Sequence, residues 1–153
     1  MVQIETQAEA TVRVAASRDR VRGLILDVVT SGVFFPDVEA VEALDEARYR
    51  FRLKPQRTLG ITFVGEYVAR YSQPEDGTVR WVTESGNIES AGTWRLGGSD
   101  GDMQVSLQIT SRLDVPVPRL AKKPAELFAR RVTANGLDAQ LARFKAEAEA
   151  EAR

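Results

Sequence analysis

The feature that most constrains the fold is a strictly alternating segment, Met103–Val115, followed directly by a long amphipathic segment. Every second residue of the first segment except Ser111 is apolar, and polar residues lie between them. This period of two predicts a β-strand with one buried and one solvated face. Pro116 and Pro118 end the strand, because proline cannot donate to its hydrogen-bond ladder and restricts the residue before it.

The segment after these prolines is predicted to be a long helix that begins between Pro118 and Pro124. Its apolar residues recur at helical spacing and form a stripe along one side. The stripe comprises Leu120, Leu127, Ala134, Leu137, Leu141, Phe144 and Ala148, and it is widened by Phe128 and Val132. Asn135–Gly136 is a local weakness at which the helix can bend or open. We predict that the stripe packs on the concave face of a sheet made by the preceding residues.

The N-terminal part of the chain is predicted to contain one strand and one short helix. Residues 2–14 alternate between apolar and polar side chains, which is typical of a strand with one buried face. Ser17 occupies an N-cap position and Asp19 lies in the first turn, where a carboxylate favours the helix terminus. The helix is expected to run to about Val29 and to stop at Gly32.

The middle of the chain is predicted to be a meander of strands, which begins after an apolar corner at Val33–Pro36. The predicted strands cover residues 38–44, 48–54, 59–71, 78–85 and 89–96. Gly65 lies within the third of these and predicts a bulge or bend. The sequence therefore predicts an α+β fold over residues 1–153 as a single domain. About six or seven antiparallel strands curve around the C-terminal helix, and one or two short helices follow the first strand.

The composition excludes several kinds of catalytic site. The chain has no histidine and no cysteine, which removes Ser-His-Asp and Cys-His arrangements, imidazole bases, disulfides and the commonest zinc ligands. The acidic residues between positions 37 and 46 are interpreted as a solvated edge, and the Gly97–Asp102 loop as a hairpin turn without the ligands of a calcium loop. We therefore expect no metal and no cofactor, and catalysis is disfavoured.

Charge and hydropathy limit the partners. The net charge of -1 disfavours a nucleic-acid-binding protein. Basic residues at Arg48–Lys54 alternate with Tyr49, Phe51 and Leu53, so the arginines are interpreted as the solvated face of a strand. No apolar run approaches the roughly 20 residues of a membrane-spanning helix, and the N-terminus lacks the pattern of a signal peptide. We expect a cytoplasmic protein.

Four segments, taken in order, resemble the START-like superfamily, also called SRPBCC. They are the strand, capping serine and helix at Val12–Val21, the Phe-Pro corner at Phe34–Val41, the motif Gly92–Leu96 and the strand exit Asp114–Pro118. The chain is most similar to the polyketide cyclase/dehydratase-like and carbon monoxide dehydrogenase subunit-like groups. The resemblance implies a helix-grip fold with a cavity between the sheet and the last helix. Members bind lipids, polyketides, sterols or other apolar molecules, and only some are enzymes.

If the odd-numbered residues of the central strands face inward, mostly aromatic side chains line the space under the helix. The candidate ligand-binding residues are Phe35, Tyr49, Phe51, Phe63, Tyr67, Tyr71, Trp81, Thr83, Ser85, Trp94, Leu107 and Phe128. A mostly apolar lining with a few polar groups is typical of a small-molecule site. The same residues also suit a filled hydrophobic core, and the sequence leaves both readings open.

Three functions are compatible with this pattern. The first is non-catalytic binding or transport of a small apolar molecule. The second is a cyclase- or dehydratase-like enzyme that uses Tyr67, Tyr71 or an inward-turned Glu66 or Glu84, whose buried carboxyl would have a raised pKa. The third is a module for a protein partner, with a homodimer as one form of it.

Overall fold

The computed structural model describes residues 2–58 and 60–151. The strands are β1 (Val2–Val14), β2 (Val38–Ala43), β3 (Arg48–Leu53), β4 (Gln56–Thr58), β5 (Ile61–Phe63), β6 (Glu66–Ser72), β7 (Thr78–Gly86), β8 (Glu89–Ser99) and β9 (Asp102–Val115). The helices are α1 (Arg18–Leu26), α2 (Val28–Ser31) and α3 (Lys122–Glu151), and short 3-10 turns cover Gly32–Phe34 and Arg119–Ala121.

Seven strands form one curled antiparallel sheet in the order β1-β9-β8-β7-β6-β3-β2, and α3 lies along its concave side. The long strands β1 and β9 pair without interruption from Val2 with Val115 to Val14 with Met103. The even residues of β1 and the odd residues of β9 face inward, as their alternation predicts. The α+β helix-grip fold expected from the sequence is therefore confirmed.

The segment after β1 forms two short helices rather than one. Ser17 caps α1 by accepting a hydrogen bond from the Arg20 backbone N–H at 3.1 Å, which confirms the predicted cap. The helix ends at Asp27, whose side chain caps α2 by accepting from the Thr30 N–H at 3.4 Å. Gly32 does not terminate the helical segment but begins the 3-10 turn.

The predicted strand over residues 59–71 is wrong in its first half. The chain leaves the large sheet after Leu53, forms the separate β4–β5 hairpin, and returns at Glu66. A β-carbon at Gly65 would lie 2.8 Å from Cδ1 of Leu53, so the break occurs where only glycine fits. Leu59, which was assigned to this strand, lies outside the described residues.

Helix α3 buries only the second half of its predicted stripe. Leu137, Leu141, Phe144 and Ala148 are buried, and the Phe144 ring packs 5.2 Å from Trp94. In contrast, the first-half residues Leu120, Leu127, Phe128 and Ala134 are exposed. Nine residues at about 100° each place Phe128 on the opposite side of the helix from Leu137. The prediction that Phe128 widens the buried stripe is therefore wrong.

Candidate functional site: the concave aromatic surface

Five aromatic side chains from β3, β6 and β7 lie next to one another on the concave face of the sheet. Phe51 stacks on Tyr67 with ring centroids 5.1 Å apart, and on Tyr71 at 6.4 Å. Tyr71 also stacks on Trp81 at 5.9 Å and meets the edge of Tyr49 at 5.4 Å. The period of two in each strand places these rings on one side, and cross-strand pairing brings them into contact. We call this group the aromatic ladder.

Two phenols in the ladder are held in their neutral form. Burial raises the pKa of Tyr67 to about 12, although its interaction with the Ser90 hydroxyl opposes the rise. The same Ser90 hydroxyl accepts a hydrogen bond from the Trp81 indole at 3.2 Å. Burial also raises the pKa of Tyr71 well above its usual value, and Tyr67 and Tyr49 add to the rise. Within the described residues the Tyr71 phenol has no hydrogen-bond partner.

The sheet itself uses one of the predicted ligand-contacting hydroxyls. The pairing of β7 with β8 ends at Trp81 and Gly92. Beyond it, the Thr83 hydroxyl donates to the Ser90 carbonyl at 2.7 Å and accepts from the Ser90 N–H at 2.8 Å. Thr83 therefore replaces part of the backbone ladder.

Helix α3 contributes a polar group that the sequence interpretation missed. Gln140 is only 8% exposed, and its amide has no hydrogen-bond partner in the part of the chain that the structure describes. It lies one turn before Phe144 and one turn after Gly136, against which the Phe35 ring packs. The sequence signal was a lone amide beside the apolar stripe, three residues after Leu137.

The predicted site residues fall into three groups. The buried group, part of the main core cluster, is Phe51, Tyr67, Trp81, Trp94 and Leu107. A half-buried group is Phe35, Tyr49, Phe63, Tyr71 and Thr83. Ser85 and Phe128 are exposed, so neither joins the buried cluster.

The two glutamates considered as interior acids lie on the convex face instead. Glu84 forms ion pairs with Arg70 and, at 3.8 Å, with Arg48. Glu66 lies 3.5 Å from Arg50 and 3.8 Å from Arg52. This network confirms that the arginines of β3 form a solvated face, and it removes both glutamates as proton carriers for the concave surface.

Two general features of the described residues bear on the chemistry of the site. No three or more acidic side chains come together in them as a group that could hold a metal ion. None of the helices within them is long and apolar enough to span a membrane. The polar groups facing the aromatic ladder are thus phenols, an indole, a hydroxyl and an amide, all of which are neutral at pH 7.

The fold resembles several solved structures. TTHA0849 from Thermus thermophilus has a TM-score of 0.74 and 18% identity, with 96% of this chain and 99% of that chain covered. A START superfamily protein from Mycobacterium smegmatis has a TM-score of 0.69 and 14% identity, with coverage of 94% and 97%. The Zhui aromatase/cyclase from Streptomyces sp. R1128 has a TM-score of 0.69 and 21% identity, with coverage of 97% and 96%. These likenesses concern the fold.

No functionally curated protein matches the chain. A family model does: the one described as "Polyketide cyclase / dehydrase and lipid transport" matches residues 5–149. That range includes the whole aromatic ladder and Gln140. The START-like resemblance of the sequence is thereby confirmed, and the chain belongs to the polyketide cyclase/dehydrase and lipid-transport family.

Proposed function

We propose that this protein binds or carries a small, mostly apolar molecule between the aromatic ladder and α3, without transforming it. The observation that supports this most directly is a set of inward-facing side chains that pack against the core yet remain only partly buried. The set comprises Ala8, Ala10, Tyr49, Tyr71, Ile109 and Leu113. Side chains that face the concave side and keep accessible surface leave room for a guest there. We place this function in the cytoplasm and in one domain spanning residues 1–153.

The polar groups on this surface limit the kind of guest. A pure hydrocarbon would leave the Gln140 amide and the Tyr71 phenol without partners, which is costly in a buried site. A ligand with an apolar body and one or two carbonyl or hydroxyl groups satisfies both. The candidate contacts remain the twelve residues named from the sequence, with Gln140 added. The exposed Phe128 and Ser85 would reach a ligand only at the edge of the site.

Native mass spectrometry of protein purified from its own host tests the proposal, with a co-purifying small molecule as the expected result. Tryptophan fluorescence gives an independent test, because both tryptophans of the chain are buried on the concave side. An apolar ligand should change the emission of a Trp94→Phe variant, which retains Trp81 in the aromatic ladder. A Trp81→Phe variant should respond less. The absence of any bound molecule, together with an unchanged spectrum across a panel of fatty acids and polyketide-like aromatics, would contradict the proposal.

A second candidate function is a cyclase- or dehydratase-like reaction, and the Tyr71 phenol favours it. A neutral phenol without a protein partner is able to donate a hydrogen bond to a substrate carbonyl and thereby stabilise negative charge that develops on it. The test compares Tyr71→Phe with the unaltered protein on a poly-β-ketone analogue. Loss of product with retained binding would support catalysis, whereas an absence of product in both proteins would count against it.

A further inference from the structure

The start of α3 carries an exposed surface that the proposed ligand site does not use. Leu120 is 96% exposed, Phe128 66% and Leu127 57%. Lys123, Leu127 and Arg131 follow one another at intervals of four residues and so lie on one side of the helix, with Phe128 beside them. We call this surface, formed by Leu120, Lys123, Leu127, Phe128 and Arg131, the basic–apolar face.

The charge of this segment differs in sign from the charge of the remaining chain. Residues 119–131 contain five basic residues and one acid, a net charge of +4. Since the whole chain carries -1, the remainder carries -5. The one acid, Glu126, is engaged by Lys122 at 3.8 Å and by Arg130 at 3.9 Å. Among the described residues, Arg119, Lys123 and Arg131 have no ion-pair partner.

The fold places this face at one end of the molecule. The strand β9 ends at Val115, opposite Val2 at the start of β1, and α3 begins directly afterwards. The β4–β5 hairpin leaves the sheet between Leu53 and Gly65, and the backbone N–H of Leu53 still donates to the Gly65 carbonyl at 2.8 Å. Ile88, which precedes the strand that pairs with Arg112 near the end of β9, lies against Gly65. Strand ends, hairpin and basic–apolar face thus belong to the same end of the sheet.

We propose that the basic–apolar face docks the protein on an anionic lipid bilayer. Apolar side chains that project from a helix, flanked by lysines and arginines, suit the boundary between headgroups and acyl chains, and the long basic side chains extend towards the anionic headgroups. A protein partner would instead have to supply a deep pocket for a leucine that projects almost entirely into solvent. The proposal goes beyond ligand binding and does not depend on it.

Co-sedimentation with lipid vesicles tests the docking. The protein is expected to sediment with vesicles that mix phosphatidylglycerol and phosphatidylcholine, to do so much less with pure phosphatidylcholine, and to be released by high salt. The variant Leu127→Gln/Phe128→Gln should lower partitioning by about tenfold, and Lys123→Gln/Arg131→Gln by a similar factor. All four side chains are exposed, so the thermal unfolding midpoint should not change.

Matched controls separate this face from general stickiness. Val82 on β7 and Val29 on α2 are 46% and 44% exposed, so Val82→Gln and Val29→Gln change exposed apolar surface elsewhere and should leave partitioning unaltered. Equal losses in controls and test variants would overturn the proposal, as would failure of the unaltered protein to bind anionic vesicles. Concentration-dependent self-association that Leu127→Gln/Phe128→Gln abolishes, without vesicle binding, would replace the bilayer by a second copy of the chain.

Discussion

The ring of Phe35 lies directly against Gly136 in the middle of α3. A β-carbon at position 136 would lie 2.6 Å from Cζ of Phe35, closer than real contacts allow. Asn135–Gly136 was predicted as a weak point of the helix, but α3 continues through it. Glycine at this position permits close approach of the corner that precedes β2, rather than a bend.

We expect Gly136→Ala to destabilise the protein. Overpacking against Phe35 should cost about 1–3 kcal/mol, which exceeds the ~1 kcal/mol that alanine gains over glycine within a helix. Urea unfolding measures the difference in the free energy of unfolding. In a Phe35→Leu background the obstruction is reduced, so the same Gly136→Ala change should become neutral or stabilising.

Gly23 in α1 is a suitable control, because a β-carbon there would meet nothing within 4 Å. Gly23→Ala should stabilise by roughly 0.5–1 kcal/mol. If both alanine variants were stabilising to the same degree, the Phe35–Gly136 contact would not constrain the helix.

Loss of the Thr83 hydroxyl should open the junction between β7 and β8. Thr83→Val keeps the shape of the side chain but removes both hydrogen bonds to Ser90, and the expected loss is about 1–3 kcal/mol. The control is Thr110→Val, at an exposed position on β9, where the change should stay within about 0.5 kcal/mol. Amide hydrogen exchange should also quicken at Ser90 in the first variant, and unaltered exchange there would argue against the bridging role.

The buried phenols should make the protein less stable at alkaline pH. The folded-state pKa of Tyr67 is about 12, whereas an unfolded tyrosine ionises near pH 10. The contribution is fully present below about pH 10 and is lost as the pH rises towards 12, because only the unfolded chain releases the proton there. The slope per phenol is about 1.4 kcal/mol per pH unit.

Unfolding free energies at several values of pH across this range check the slope. Tyr67→Phe should flatten it by the share of one phenol, and Tyr71→Phe should do the same because burial raises the pKa of Tyr71 too. Absorbance of the folded protein at alkaline pH should lose a late-titrating component in each variant. An identical pH dependence in all three proteins would show that these phenols are not desolvated.

Replacing Gln140 should affect stability and binding in opposite directions. Gln140→Leu removes a buried amide without a partner among the described residues, so the empty protein should gain about 1 kcal/mol. A ligand that uses this amide should bind roughly tenfold more weakly, in line with a lost hydrogen bond of about 1.4 kcal/mol. Calorimetric titration and thermal unfolding measure the two effects. Gln7→Leu, at an exposed position of β1, should change neither, and unchanged affinity in Gln140→Leu would exclude the amide from the site.

Much of the candidate site was predictable because its residues obey a local period. The alternation in β3, β6 and β7 assigned Phe51, Tyr67 and Trp81 to one face, and cross-strand pairing then brought them together. Gln140 was not found in this way, since an amide at the edge of a helical stripe looks like an ordinary solvated residue. Its burial depends on the packing of α3 against the 3-10 turn and on the Phe35 corner.

The sequence by itself determined the order of the elements, the inward faces of β1 and β9, the Ser17 cap and the long final helix, because each of these follows from side chains within a few residues of one another. Only the tertiary structure decided where the strand before Tyr67 breaks, which half of α3 is covered, and that Glu66 and Glu84 pair with arginines on the convex face. These outcomes depend on residues distant in the chain, such as Ile88 beside Gly65, whose proximity no local pattern encodes.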